Sequence, residues 1–532
     1  MPSRHSRCRL VVASLVLAAA GGLHAAPPPQ RSAEIRAFWV DAFHAGIRSP
    51  AEARQLVADA KRLNVNTLFV QVRRRGDALY ASTLEPPLDD PAYDPKFDAL
   101  AFVVDEAHAS GLQVHAWINA MPVWRDEAPP SDQRHVFNRH GPTSAGDDNW
   151  LTRSRGGEQR FPVGYFLDPG HPAARDHLVA VYLDIVRRYP IDGIHFDYIR
   201  YPETDDRLPR GANVGYNAVS LARFARATGM AAVPAPGDPQ WTWWRRQQVT
   251  ELVRRISIEA RAINPRIKVG AAVIAWGRPP RDAADFENTA PMQRIFQDWR
   301  AWLQEGLLDL AVPMNYAREH DPVVREWFNG WIRWEKRNKG ARQLAVGVGG
   351  YLSRPEGVVA QIARARAAAG RARADGVSIF SYFVPSAGPA QPATAPAQAA
   401  VGKREAEVSP PPARLDFLVN GLPPAAGPFA QLASVPSMRW LDEPNRGSLA
   451  GTVTRSGAGV EGVRVRITRR RLFGGTKQVV TDANGWFGAM GLKPGRYRVQ
   501  VDDSGTDANP RFEDVEILPG RVSRVALQGG QP

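Results

Sequence analysis

DGIHFDYIRYP, residues 192–202, is a short apolar run that ends in a carboxylate and passes into two aromatics, an arginine and a proline. In an extended segment alternate side chains share a face, so Gly193, His195 and Asp197 point one way and Ile194, Phe196 and Tyr198 the other. In a parallel barrel such a strand would lift Asp197 to its carboxyl end, the place where barrel enzymes carry their chemistry.

Outward from this strand the same alternation recurs. The β-rich runs are EIRAFWV (34–40), NTLFVQV (66–72), LQVHAWIN (112–119), DGIHFDYI (192–199), IKVGAAVI (267–274), LDLAVPMNY (308–316), QLAVGVGGY (343–351) and DGVSIFSYF (375–383). Helical patterns near 50–63, 97–110, 172–189, 241–263, 291–304, 321–338 and 356–372 lie between them. The spacing predicts an α/β fold, a (β/α)8 TIM barrel over 33–384. No strand runs into GxGxxG, so the closed barrel fits better than an open dinucleotide-binding sheet. The segments 120–171 and 200–240 follow strands, are far longer than ordinary connections, and are expected to serve the site.

The rest of the 532 residues divides by composition. Arg4, Arg7 and Arg9, an apolar run from Leu10 to Ala20 and the small residues before a proline cluster read as an export signal over 1–26. The chain is therefore expected to be exported, periplasmic or extracellular, and its one cysteine, Cys8, leaves with the signal. No later stretch has the roughly 18 apolar residues of a transmembrane helix. A Pro/Ala-rich linker and connector spans 385–446, and short alternating runs with glycine turns over 447–530 read as a small all-β sandwich domain.

The formal charge of +14 falls to about +11 without the signal arginines and favours anionic polymers. Without an aromatic-interleaved basic stripe, and with export, no nucleic acid partner is expected. A polysaccharide substrate fits better; oligomeric state stays open.

Asp197 is the leading candidate catalytic acid, the bland alternative being a structural carboxylate paired with Arg200 or Arg73. Glycoside hydrolysis ordinarily needs a second carboxyl group, about 5 Å away for retention or about 6.5–9.5 Å for inversion. Glu319, beyond the sixth strand, and Asp41, at the end of the first, are the main candidates, with Glu203 and Asp168 behind them. Strand ends also supply expected substrate contacts: Gln71 and Arg73, Trp117 and Asn119, Tyr198, Arg200 and Tyr201, Trp276, Asn315 and Tyr316, and Tyr382. Indole faces stack on pyranose rings, so Trp39, Trp117, Trp124, Trp150 and Trp276 are expected at a glycan cleft. Trp241, Trp243, Trp244, Trp327, Trp331 and Trp334 are expected to be packing residues, and His115 and His195 core histidines. The first strand lacks the HxH pair of barrel metallohydrolases, so neither a metal nor another cofactor is expected.

RAFWVDAF, NTLFVQVRRRGDALYAS, GLQVHAWINA, YFLDPGHPAARDHLV, YPIDGIHFDYIRYP and DLAVPMNYARE, in this order, resemble the glycosyl-hydrolase-like family 10, a group of exported barrel proteins. TDANGWF followed by GLKPGRYRV resembles the carboxypeptidase-regulatory-like or prealbumin-like sandwich. The first resemblance implies hydrolysis of a bacterial glycan, with peptidoglycan glycan strands as the substrate class and Asp197 as the leading catalytic residue. The sixth strand reads PMNYARE where many relatives read closer to PQxYWE, a departure at Glu319, and no carboxylate ends the seventh strand. A non-catalytic glycan-binding or scaffolding protein, and a hydrolase of another amino-sugar exopolysaccharide, are the alternatives.

Overall fold

The computed structural model describes residues 32–204, 212–384, 386, 415–471, 474–502 and 512–528. The expected export signal, Cys8 and most of the Pro/Ala-rich linker lie outside the described residues.

Eight parallel strands close into a barrel in chain order: β1 (Ile35–Val40), β2 (Thr67–Arg73), β3 (Gln113–Asn119), β4 (Gly193–Asp197), β5 (Lys268–Ile274), β6 (Leu310–Asn315), β7 (Gln343–Gly349) and β8 (Gly376–Phe380), with β8 pairing β1. Both faces of each strand are buried, which is why the runs read as nearly continuous apolar segments. Phe38, Val70, Ala116, Ile194 and Phe196 belong to the shell packed under the helices. Ala37, Trp39, Phe69, Trp117, Leu310 and Val312 fill the interior.

That interior seats large rings over glycines. A Cβ on Gly347 would lie 2.9 Å from the Trp39 ring, one on Gly270 3.1 Å from His195 Nδ1, and one on Gly193 2.4 Å from His115 Nδ1. Trp39 Nε1 donates to His195 Nε2 at 3.0 Å, and burial pushes His195 down to about 3, so it accepts as a neutral ring. Gly193→Ala should therefore cost about 1–3 kcal/mol through overpacking, read as a lower urea midpoint at unchanged slope.

Helices follow the expected pattern with one break: 291–304 divides into Ala290–Gln293 and Trp299–Glu305. Phe296 takes a left-handed φ of 58°, and the Asp298 side chain caps the second helix by accepting from the Ala301 amide.

The connector is structural where described. Met438 enters the barrel's interior cluster, Trp440 Nε1 donates to Asp309 Oδ1 at 2.7 Å, and Gln343 Nε2 donates to the carbonyls of Pro436 and Ser437. Asp309 and Gln343 stand at the starts of β6 and β7, so this segment covers the N-terminal end of the barrel.

Beyond it, two four-stranded sheets pack around Leu449, Val453, Val465, Ile467, Phe487 and Val499. Val522–Gln528 runs parallel to Gly447–Arg455; the other pairs in these sheets are antiparallel. The sandwich rests directly on the barrel. Arg175 and Asp482 form a buried ion pair at 3.1 Å, Trp486 Nε1 donates to Glu259 at 2.8 Å, and Ile258 of the helix Pro239–Ile263 packs with Ala450 and Trp486.

Candidate active site

Strands β3 and β4 end side by side, with Asn119 in register with Asp197. Trp117 Nε1 is shared between Asn119 Oδ1 at 2.9 Å and Asp197 Oδ2 at 3.1 Å. The Tyr198 amide donates to Asp197 Oδ1 at 2.7 Å. Tyr198 holds that amide with a φ of 47°, left-handed backbone that an aromatic residue adopts only under constraint.

Asp197 is 5% exposed. Burial pushes its carboxyl up to about 6, against the opposing pull of the Tyr198 amide, the charge of Arg200 and the Trp117 indole. Each carboxyl oxygen receives one donor and keeps a second lone pair for a proton or a substrate oxygen. Neither arginine weighed as its partner takes it: Arg73 is bound to Glu85 through two contacts of 2.7 Å, and Arg200 pairs with Glu203 at 3.3 Å. The Arg200 charge draws the Asp197 carboxyl down, and Arg200 itself pairs with Glu203.

Aromatic rings wall this end of the barrel. Tyr316 lies 6.1 Å from Tyr351 and 5.5 Å from Phe380, and Phe380 lies 6.3 Å from Trp117, measured between ring centroids. The Arg200 guanidinium sits 4.5 Å from the Tyr198 ring and 5.2 Å from that of Trp276. Phe166, from the long 120–171 segment, packs edge-on against Tyr198 at 6.0 Å. Burial pushes the phenols of Tyr198 and Tyr351 up to about 12 and that of Tyr316 well above its ordinary value, so all three are hydroxyl donors at neutral pH. The Asp197 charge also acts on Tyr316, which places that phenol in the acid's electrostatic neighbourhood.

Trp117, Tyr198, Arg200, Trp276 and Tyr316 thus gather with Asp197 as expected from strand-end placement, and Asn119 supports the indole that touches the acid. Tyr351 and Phe380 belong to the same wall and were missed. Both were visible as strand-end aromatics, Tyr351 in GVGGYL, where a carboxylate rather than a phenol was sought.

Other candidates sit elsewhere for identifiable reasons. Arg73 is fully buried and also donates to the Ala120 carbonyl at 3.0 Å, so its guanidinium is turned into the protein rather than toward a substrate. Gln71, 1% exposed, accepts from the Ala42 amide and joins the ends of β1 and β2. Tyr201 is buried against Phe296. Asn315, one residue out of phase with Tyr316, donates outward to Glu335 at 3.0 Å. The Tyr382 hydroxyl donates to Asp59 on the helix Pro50–Arg62.

The second-carboxylate candidates are engaged as well. Glu319 pairs with Arg364 and accepts from Gln361 at 3.3 Å; Asp41 accepts from the Phe43 amide at 3.0 Å and contacts His44 Nδ1 at 2.7 Å. Asp168 is buried, accepting from Ser220 and the Gly170 amide. Among the tryptophans, Trp39 lies deep in the barrel, Trp124 is buried, and Trp150 stacks on His140 at 3.5 Å, leaving Trp117 and Trp276 at the rim. Trp241, Trp244, Trp331 and Trp334 are packing residues as expected, whereas Trp243 and Trp327 face outward.

A closed barrel with a desolvated acid at a strand end and an aromatic rim is the architecture of a glycosidase-type protein. Over residues 34–343 the chain matches the family model described as Glycosyl hydrolase-like 10, and it belongs to that family. Residues 448–528 match the carboxypeptidase regulatory-like domain. The chain is similar to Glycosyl hydrolase DigH of Escherichia coli (strain K12), 28% identical over 287 residues, covering 50% of this chain and 59% of that protein. It is similar to Glycosyl hydrolase YngK of Bacillus subtilis (strain 168), 26% identical over 335 residues, covering 57% and 59%. The chain therefore spans less than two thirds of these relatives. The glycoside hydrolase domain of PgaB (BpsB) from Bordetella bronchiseptica overlays 65% of this chain and 94% of its own at 15% identity and a TM-score of 0.47, too loose a likeness to argue from. Among the described residues no helix is long and apolar enough to cross a membrane, and no group of three or more His, Cys, Asp or Glu is placed to hold a metal.

Proposed function

We propose that the barrel hydrolyses glycosidic bonds of an amino-sugar glycan of the bacterial cell wall, with peptidoglycan glycan strands as the substrate class and Asp197 as the proton donor. One observation carries this reading: Asp197 is a buried carboxyl without an ion-pair partner among the described residues, raised to about 6, at the carboxyl end of β4 among donor phenols and an indole. Near neutral pH such a group holds a useful fraction of its proton and is acidic enough to release it, which is what departure of a sugar oxygen requires. As the bond breaks, the new carboxylate retains the Trp117 and Tyr198 N–H donors, and it then draws a proton from the water that completes hydrolysis.

The second group is read as the substrate's own 2-acetamido oxygen, which bonds to the anomeric carbon as the leaving oxygen departs and is displaced from it in turn by that water, as in substrate-assisted glycosidases. This reading is supported by Glu319 and Asp41 being tied to Arg364 and His44. Tyr316 and Tyr351 supply hydroxyl donors for that acetamido group.

Release of reducing ends from peptide-free peptidoglycan glycan tests both parts. Glu319→Gln and Asp41→Asn should each keep turnover within about threefold, and a thiazoline analogue of the amino sugar should inhibit competitively. Complete loss in a folded Asp41→Asn protein would restore a protein carboxylate as the second group. Binding of the glycan by the wild type without new reducing ends would make this a glycan-binding protein.

A further inference from the structure

A cavity of about 490 Å³ lies at the opposite end of the barrel from Asp197. The segments leading into β5, β6 and β7 form one wall, the connector from Trp440 to Arg446 another, and Met490 of the sandwich strand Trp486–Leu492 with Arg521, just before Val522–Gln528, the third. Five arginines line it, Arg261, Arg266, Arg342, Arg446 and Arg521, against three carboxylates, Glu305, Asp309 and Asp442.

Those carboxylates are already committed. Asp309 pairs with Arg261 at 2.7 Å and accepts from Trp440 Nε1 and the Val269 amide. Glu305 pairs at 2.6 Å with Arg254, which is not among the lining residues, and Asp442 accepts from the Met438 amide. The Arg342 guanidinium lies 4.5 Å from the Trp440 ring, and its Nη1 is buried without a hydrogen-bond partner, 3.7 Å from Asp309. Among the described residues, no hydrogen bond or ion pair engages the side chains of Arg266, Arg446 and Arg521. Arg266, Arg446 and Arg521 are exposed to solvent and, with Arg342, leave guanidinium donors available to an anion where three chain segments meet.

We propose that this cavity is a binding site for a phosphate-bearing ligand. Guanidinium forks match phosphate oxygens two at a time, and a phosphate can accept from several forks at once, whereas a single carboxylate is filled by one or two. The volume accommodates a phosphorylated sugar or one repeat of a phosphodiester polymer. The arginines come from the barrel, the connector and the sandwich together, so occupancy would brace the two domains. The proposal is independent of the glycosidase reading.

Calorimetric titration of the full chain at physiological salt, with inorganic phosphate and separately with a poly(glycerol phosphate) fragment, tests it. Arg446→Ala/Arg521→Ala should weaken binding about tenfold or more, while Arg187→Ala/Arg325→Ala, which removes the same charge elsewhere, should leave it unchanged. Reducing-end release should be the same in both double variants. Binding of both probes assigns the phosphate group as the recognised unit, and binding of the polymer alone assigns a chain of them. The proposal is overturned by the absence of heat with either probe, by equal weakening in the two double variants, or by a hexuronate oligomer binding as tightly as the phosphate probes.

Discussion

Asp197→Asn should lower the rate of glycan cleavage by about 10²–10⁴-fold, the usual contribution of a positioned acid, in a protein that remains folded. An aryl glycoside whose leaving group needs no protonation should lose far less. That contrast separates a lost proton donor from a lost binding contact, which would depress both substrates alike. The same substitution should raise stability at pH 7.5. Moving the Asp197 carboxyl from 3.8 to about 6 means that its ionised form is disfavoured in the folded state, by about 3 kcal/mol at one pKa unit per 1.36 kcal/mol. The folded protein binds the extra proton, so the wild type gives up this stability as pH rises from about 4 through about 6 and holds constant above. An asparagine retains at most one of the two donors to the carboxyl, so the net gain at pH 7.5 should be about 1–2 kcal/mol and should turn into a loss of about 1 kcal/mol near pH 4. Urea unfolding of both proteins at the two pH values checks this.

Arg73→Met should cost about 3–5 kcal/mol, because it leaves the buried Glu85 carboxylate with His177 alone as its side-chain partner. Burial alone would raise that carboxyl, but the charge of Arg73 and the hydrogen bonds from His177 and Arg73 outweigh it and hold it well below the carboxylate range. The pair's contribution is therefore present at neutral pH and falls away as acid is added below the ordinary glutamate range. Arg73 also donates to the carbonyl of Ala120, just past β3, so its loss should loosen the strand end that carries Trp117 and Asn119. Replacing both partners with apolar residues, Arg73→Met/Glu85→Leu, should be milder than either single change, since no charge is left unpaired. Chemical denaturation midpoints across the three variants give the answer, and equal losses would show that the pair acts through shape alone.

Most of the fold was legible because the barrel's signal is periodic. Runs such as NTLFVQV and IKVGAAVI are buried on both faces and bounded by capped helices, so their ends fell within a residue or two of the observed strands. Facing was legible too, because side-chain parity along HFD and HAWIN places Trp117, Asn119 and Asp197 on one side. Parity failed where strands had not been phased: Asn315 follows Met314 and precedes Tyr316, and it faces outward while its neighbours face in. Pairing was not legible at all. A run of three arginines reads as surface or substrate contact, yet Arg73 closes on Glu85 twelve residues later, and Glu319 closes on Arg364 across a strand and a helix. The stopper formed by Met438 and Trp440 was equally hidden, since nothing in a proline-bounded connector announces which open end of a barrel it will cover.

The central claim is that Asp197 acts as a protonated acid, and the pH dependence of kcat/KM on peptide-free peptidoglycan glycan reports its titration most directly. The account predicts an alkaline limb that falls about tenfold per pH unit above pH 6 or so and is absent from the residual activity of Asp197→Asn. A wild-type profile that stays flat or rises from pH 6 to 9, or an alkaline limb that survives in Asp197→Asn, would contradict it.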